Sequence, residues 1–420
     1  MGEKTPVKGA VKKLKSIVFI GSNKSGTSRE ALNIAKQMGY YTILFTDRAK
    51  FLQQREEFPD VHLMIFLKDL INKESVLKEI KQLIEKGYDV KACLSLVDPF
   101  VSIASQLAKE LGLHQLSSEA LYKMENKTRF RKALKGHSFT PFFSVYDKTH
   151  SIDSFIRQTK DHLPLVVKSP ESNGSKDVVL VNTIDELRKE LLTVQKRKTT
   201  VPLLVEEYLI GPQYLIEVIV HESKVSIVAI VKQEITNRKR FIITGYQFPA
   251  QLKSNELYML EKSVCEIVKT LELVNGPCHL EMRLVNGEWK LIEINPRISG
   301  GAMNQIILHG TGINLVKETI KLNLGKEPLF EKTKFQFVYA HYVIIQRRGI
   351  LIKVTGKKRA QRHKGVIDVY IKPRKGKVLT PPLSMGDRYA YVLATGETEE
   401  EAQRNALNAA KQIRFFLEPM

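Results

Sequence analysis

Residues 279–295, HLEMRLVNGEWKLIEIN, have few ways to fold. Apolar and polar residues alternate on both sides of Asn286-Gly287, the dipeptide that most strongly marks a two-residue hairpin turn. The spacing predicts two antiparallel strands, and residues two apart on a strand share a face. Glu293 and Asn295 therefore point the same way. A two-residue loop sets Glu281 opposite Ile292, close to Glu293 without facing it directly. Two carboxylates and an amide oxygen converge, the hard donors that Mg²⁺ takes while keeping waters and sharing phosphate oxygens. The bland alternative is a pair of solvated acids. Leu280, Met282, Ile292 and Ile294 argue against it, because they describe a half-buried sheet. Pro296-Arg297 follows at once, and an arginine there suits bidentate contact with a phosphate or carboxylate. Ser299-Gly300-Gly301 then lets backbone approach a ligand closely.

Strand-like runs at 16–22, 42–47, 63–67 and 92–96 alternate with helical patterns at 28–38, 73–86 and 100–111. That alternation predicts a parallel α/β domain over about residues 1–115. Its first turn, GSNKSGT (21–27), is not a phosphate loop, because Thr27 stands where a lysine should follow the second glycine. It also lacks the dinucleotide fingerprint. It reads as a glycine turn, or as a ligand contact at the carboxyl end of a parallel strand.

Beyond residue 115 the pattern becomes α+β. One helix is expected at 118–135, strands at 142–146, 164–170, 178–181 and 203–209, and helices at 152–160, 183–195 and 254–271. Two strand runs within 214–234 flank a turn at His221–Lys224. The last part, 331–420, carries strands at 337–345, 366–371 and 389–394. A helix at 398–416 opens with Thr398 and Glu401 as a capping box. With 420 residues, and about 100–200 per domain, three parts are reasonable: 1–115, 116–330 and 331–420.

Lys and Arg number 66 against 45 Asp and Glu, a net charge of +21. Residues 346–377 hold twelve basic residues and one acid, Asp368, so about half the excess sits in one segment. A solvated surface is the ordinary reading; an acidic protein partner is the other. Nucleic acid is disfavoured, since Tyr370 is the segment's only aromatic and stacking is poorly served. Three cysteines, Cys93, Cys265 and Cys278, make no disulfide framework and no metal motif. No run of 18 apolar residues is present, so no membrane helix is expected, and a reducing cytoplasm is the expected location. His279, His309 and His341 are isolated and read as packed or surface side chains rather than ligands.

Lys168 ends a β-rich run before the loop ESNGSKD (171–177), a composition that can fold over phosphates. Lys127 lies in MENKTRF. Together with the hinge VEEYLIG and the pair EMR and IEINPR, this ordered set resembles the ATP-grasp ligases. GYQFPA (245–250), NGPCHLEMR (275–283), EINPRISGGAMN (293–304) and GDRYAYVLATGETEEEA (386–402) look most like the bacterial ligases that join L-amino acids.

The resemblance covers about residues 16–416 and implies an ATP-grasp fold with an N-terminal parallel α/β (pre-ATP-grasp) domain. It implies that Lys127, Lys168 and the loop residues Ser172, Gly174 and Ser175 hold ATP phosphates. Glu206, Glu207, Tyr208 and Leu209 would form the adenine hinge, with Gln213 in the ribose position where relatives commonly carry an acid. Glu281, Glu293 and Asn295 would hold two Mg²⁺ ions, or Mn²⁺, and Arg297 would stabilise the transferring phosphoryl group. Arg283, Tyr246, Arg297, Gly300 and Gly301 are the candidate substrate contacts, Arg283 being equally readable as a structural ion-pair partner. Tyr246 stands where relatives usually have histidine, and Gly301 where some have a bulky residue. The implied reaction is a carboxylate–amine ligation through an acyl-phosphate between small substrates, by a homodimer. A second reading keeps the chemistry but gives it a carrier-bound or other acidic macromolecular acceptor docked on 346–377.

Overall fold

The structure is a computed structural model that describes residues 14–147, 149–170, 178–196, 202–237 and 241–420. The loop 171–177, with Ser172, Gly174 and Ser175, lies outside the described residues.

The first unit is a four-stranded parallel sheet in the order Leu63–Phe66, Tyr41–Thr46, Leu14–Ile20, Tyr88–Leu94. Its central strand alternates inward in both directions. Ile17 and Phe19 join one apolar cluster, Val18 and Ile20 another. Both faces are covered, which is why the strand reads as continuously apolar. The cluster on the Ile17 side continues through Leu121, Phe130, Ile216, Leu291 and Val316, so the N-terminal sheet shares a core with the elements behind it.

The centre holds two sheets. A four-stranded antiparallel sheet runs Phe143–Tyr146, Leu203–Glu207, Leu165–Lys168, Val178–Val181. The helices Ile152–Thr159 and Ile184–Lys196 back it, with Phe155, Leu187 and Leu191 packing on Tyr146, Val167 and Val205. An eight-stranded sheet runs Glu288–Asn295, Gly276–Val285, Gln213–His221, Lys224–Asn237, Phe241–Phe248, Phe337–Val343, Ala390–Gly396, Val366–Ile371. Its last three strands come from beyond residue 331, so the C-terminal part completes the central sheet. A small sheet of Val378–Leu379, Gly349–Thr355 and Arg414–Pro419 closes the end.

Three expectations are corrected. The helix expected over 118–135 is two, Ser118–Met124 and Lys127–Ala133. Asn126 breaks it: its side chain accepts from the Thr128 and Arg129 amides at 3.0 and 3.2 Å and caps a new helix that starts on Lys127. The final helix stops at Ala410, and Arg414–Pro419 is a strand. Leu417, two residues after Phe415, packs with it inward on Leu351, Leu379 and Tyr389, a period of two that a helix cannot use. Thr398 does cap that helix, accepting from the Glu401 amide at 3.2 Å.

The third correction is the hairpin register. The turn is as expected, with Asn286 and Gly287 at φ 50° and 85°. A bulge between Glu281 and Met282 then leaves Ile292 unpaired, and Glu281 faces Glu293 directly.

Candidate functional site

The two central sheets and the N-terminal unit enclose a cavity of about 800 Å³. Glu206, Glu207, Tyr208 and Leu209 line one end, Tyr370, Lys372, Arg388 and Tyr391 the other. Lys127, Lys168, Gln213, Tyr246, Glu281, Arg283, Glu293, Asn295, Arg297, Gly300 and Gly301 lie between. Every sequence-derived candidate among the described residues therefore faces one space.

The bulge makes the centre. Arg131, wholly buried, donates through Nη2 to the Leu291 and Ile292 carbonyls at 2.7 and 2.8 Å. Its Nε holds one oxygen of Glu206, and Lys168 holds the other. Burial acts to raise the Glu206 pKa, but Arg131 and Lys168 outweigh it and hold the carboxyl below its usual value. Burial pulls Lys168 below the ordinary lysine value, against the opposite pull of Glu206. Removing one partner from such a buried set strands a charge and costs about 3–5 kcal/mol.

Glu293 pairs with Lys127 at 3.1 Å. Opposite it, Glu281 accepts from Gln213 and Gln233 at 3.2 and 3.5 Å. Burial first, and the charge of Glu293 second, raise the Glu281 pKa. Two half-buried carboxylates face each other, and one has only amide donors. That arrangement asks for a cation. Together with the Asn295 amide, the donor set fits Mg²⁺.

Arg283 is not a free substrate contact. It donates to the Leu209 carbonyl and, at 3.0 Å, to Gln213 Oε1, and stacks over Tyr208 at 5.5 Å. Its partners are neutral, so it is not an ion-pair partner either; it ties the hinge to the hairpin. Glu207 accepts from the Phe142 amide at 2.9 Å, which fixes the hinge from the other side.

Arg297 grips Asp98 of the N-terminal unit, its Nε at 2.9 Å. Burial alone would raise the Asp98 pKa; Arg297, helped by His279 and Lys127, holds it below the usual range. His279 bonds to the Arg297 carbonyl at 2.7 Å, and burial drives its pKa down to about 4, so it is a neutral packed histidine. Ser299 gives its amide, at 3.0 Å, and its hydroxyl to Glu217, which is wholly buried. Burial pushes Glu217 up to about 7. Gly26 of the first turn abuts Gly301: a Cβ on Gly26 would lie 2.9 Å from the Gly301 amide nitrogen. Asn23, Lys24, Ser25 and Gly26 line the cavity, so this turn is more than a closure. Gly301 itself has φ 68°, and a side chain there would meet the Tyr342 hydroxyl at 3.0 Å.

Three family profiles match along the chain: the ATP-grasp N-terminal domain over 32–114, the ATP-grasp domain over 161–305, and the L-amino acid ligase C-terminal domain 2 over 341–418. The chain belongs to the ATP-grasp ligases. The crystal structure of an L-amino acid ligase from Bacillus licheniformis superposes with a TM-score of 0.82, at 22% identity, over 97% of this chain and all of the other. An uncharacterized protein of Sinorhizobium fredii, y4rH, is 24% identical over 84% of this ligase and 73% of its own length. The carbamoyl phosphate synthase large chain of Methanosphaerula palustris is 21% identical over 74% of this chain, which spans only 30% of that protein.

In this ATP-grasp ligase the sequence reading missed Asp98, Arg131, Glu217, Gln233 and Arg388. Asp98 carried a usable signal, since it follows a parallel strand at its carboxyl end, where ligands bind. Arg131 carried a weaker one, one helical turn after Lys127. The other three become visible only in the folded chain.

Proposed function

We propose that this ligase joins a carboxylate and an amine of small substrates, L-amino acids first among them, through an acyl-phosphate, releasing ADP and phosphate. The observation that carries the reading is the facing pair Glu281–Glu293 with Lys127, Lys168 and Arg297 around it, at the centre of a cavity sized for small molecules. A substrate carboxylate oxygen attacks the γ-phosphorus of ATP and the bond to ADP breaks. The amine, as its neutral form after giving a proton to solvent, then attacks the acyl carbon; the C–O bond to phosphate breaks, and the second proton the nitrogen sheds leaves with the phosphate.

The chain's own work is positioning and charge neutralisation. Lys127 and Lys168 exchange Glu293 and Glu206 for phosphate oxygens. Glu281, Glu293 and Asn295 would hold Mg²⁺, which neutralises phosphate charge when bound. Arg297 faces the developing charge on the transferred group, with Asp98 setting its direction. The hinge 206–209 takes the base edge through backbone groups, while the Glu206 carboxylate stays on Arg131 once Lys168 has turned to phosphate. Gly26 and Gly301 wall the acyl end and exclude water there.

The reading with a macromolecular acceptor draws on one observation: all twelve basic side chains of 346–377 are exposed. The test for both is phosphate release from ATP and Mg²⁺ across paired L-amino acids, with mass detection. Release that needs two amino acids, with a product of their summed mass minus water, supports the first reading. Release only with a carrier-bound acceptor supports the second, and none with either sinks both.

A further inference from the structure

The cations at the two ends of the cavity differ in one respect. Lys127, Lys168, Arg131 and Arg297 each contact a carboxylate. Arg388 does not. Among the described residues its guanidinium finds the Met385 and Ile243 carbonyls, both at 3.2 Å, and the Tyr246 hydroxyl. It lies 3.9 Å over the Tyr342 ring, within a wall of tyrosines: Tyr246, Tyr342, Tyr391 and Tyr370. Lys372, at the rim of the same wall, donates to the Gly386 carbonyl at 2.6 Å; it feels the pull of Asp387 first and the repulsion of Arg388 second, and Asp387 is itself taken by the Leu383 and Ser384 amides at 3.0 and 2.9 Å. Glu281 is felt by Arg388 through space but makes no pair with it, and its partner in the loaded site is a cation. Asp368 is taken by the Tyr391 hydroxyl at 2.8 Å.

A half-buried guanidinium with only neutral partners, and a second cation nearby, gains when an anion arrives. The tyrosine rings fix its plane, which suits a flat two-oxygen anion. Phosphate is expected at the lysine end of the same cavity, so the group at this end is a different one.

We propose that Arg388, assisted by Lys372, binds a carboxylate that the reaction leaves intact, carried by one of the two substrates against the tyrosine wall. This rests on the ligase reading for the word substrate, though the anion subsite itself does not need turnover. The carboxylate has two sources: the α-carboxylate of an amino-acid acceptor, or the second carboxylate of a dicarboxylic donor.

Two experiments on the full chain test it. In the first, thermal melting with MgADP is followed with each proteinogenic L-amino acid and with its carboxamide, for the parent, Arg388→Met and Arg388→Lys. The expected result is that at least one free acid stabilises the parent, its amide does not, Arg388→Met loses the difference and Arg388→Lys keeps part of it. Equal shifts with acids and amides, a difference retained in Arg388→Met, or no acid that stabilises the parent each overturn the proposal. In the second, the productive pair is assayed. Arg388→Met should raise the KM of one substrate by about 10–100-fold, the worth of a charged hydrogen-bonded contact, with the KM for ATP unchanged. The substrate whose KM rises names the source, and an unchanged KM for both overturns the proposal. If no pair releases phosphate while acid-specific melting shifts vanish in Arg388→Met, the ligase reading fails and the subsite stands.

Discussion

At the hinge end of the cavity, Lys127 sits on Glu293, and Lys168 and Arg131 share Glu206. At the tyrosine end, Arg388 and Lys372 touch only neutral oxygens. The first end carries its own counter-charges, and in the proposed reaction it exchanges those partners when phosphates and a divalent cation enter. At the second end, among the described residues, Arg388 has no carboxylate to release, and Asp387 near Lys372 is held by the Leu383 and Ser384 amides. Two cations of equal formal charge can thus be built for different events. The partner each has in the resting chain narrows which, together with what its contacts tie: Arg283 also has neutral partners, yet uses them to join hinge to hairpin.

The hinge end gives the largest predicted effect. Glu293→Gln removes a carboxylate proposed to hold the metal, and with it the ion pair to Lys127. Turnover should fall by at least ~10²–10³-fold, the usual cost of deleting one charge-stabilising group. ATP hydrolysis within 10-fold of the parent, measured by coupled ADP release, would place the chemistry elsewhere in the cavity.

Next in size is the pair that joins the N-terminal unit to the site. Arg297→Met should cost about 10²-fold in kcat, since it removes a group facing the transferred phosphoryl. Asp98→Asn keeps a hydrogen-bond acceptor and removes only the charge that orients Arg297. About a 10-fold loss in kcat is expected, with the KM for ATP unchanged. Equal losses would mean that the pair works as one unit; an unaffected Asp98→Asn would reduce Asp98 to an interdomain contact.

How much of this was legible in the sequence follows from distance along the chain. The hairpin was legible because alternation and a two-residue turn are local, and the faces of Glu293 and Asn295 follow from them. Its bulge was not, because the carbonyls of Leu291 and Ile292 are held by Arg131, some 160 residues earlier. Arg297 was legible as a ligand for an anion, but its resting partner Asp98 is 199 residues away. The final strand was missed because Phe415 and Leu417 pack only once Gly349–Thr355 lies beside them. The parallel N-terminal sheet, by contrast, appears where its apolar runs put it, within a few residues.

A third prediction concerns the loop between the two ends. Glu217 titrates near 7 in the folded chain, against an ordinary value of 4.5. Between those pH values the unfolded chain has released the proton and the folded chain still holds it. Stability therefore falls as pH rises across that window, and the loss is complete above it. Glu217→Gln has no proton to release and can still bond to Ser299. It should match the parent near pH 4 and be more stable at pH 8, by on the order of 3 kcal/mol, in denaturant unfolding. Equal stability at both pH values would mean that Glu217 is ionised in the fold and that the Ser299–Gly301 loop is held by a charge.

The smallest expected effect extends the contrast from the cavity to the surface. Residues 346–377 hold about half the net charge in one segment, and their basic side chains are exposed. Lys364 and Arg374 pair with Glu401 and Glu57, and such exposed pairs contribute little because water and salt screen them. Lys357, Lys358 and Arg359 stand on a short helix away from the cavity lining. Changing all three to glutamine should leave kcat and KM for two small substrates within about 2-fold, since charges in water beyond a Debye length are screened. With an acidic carrier as acceptor the same variant would lose turnover steeply at low salt and little at high salt, because surface charge acts on encounter rate. Comparing the two acceptors at two salt concentrations therefore decides whether the exposed cations outside the cavity serve a partner.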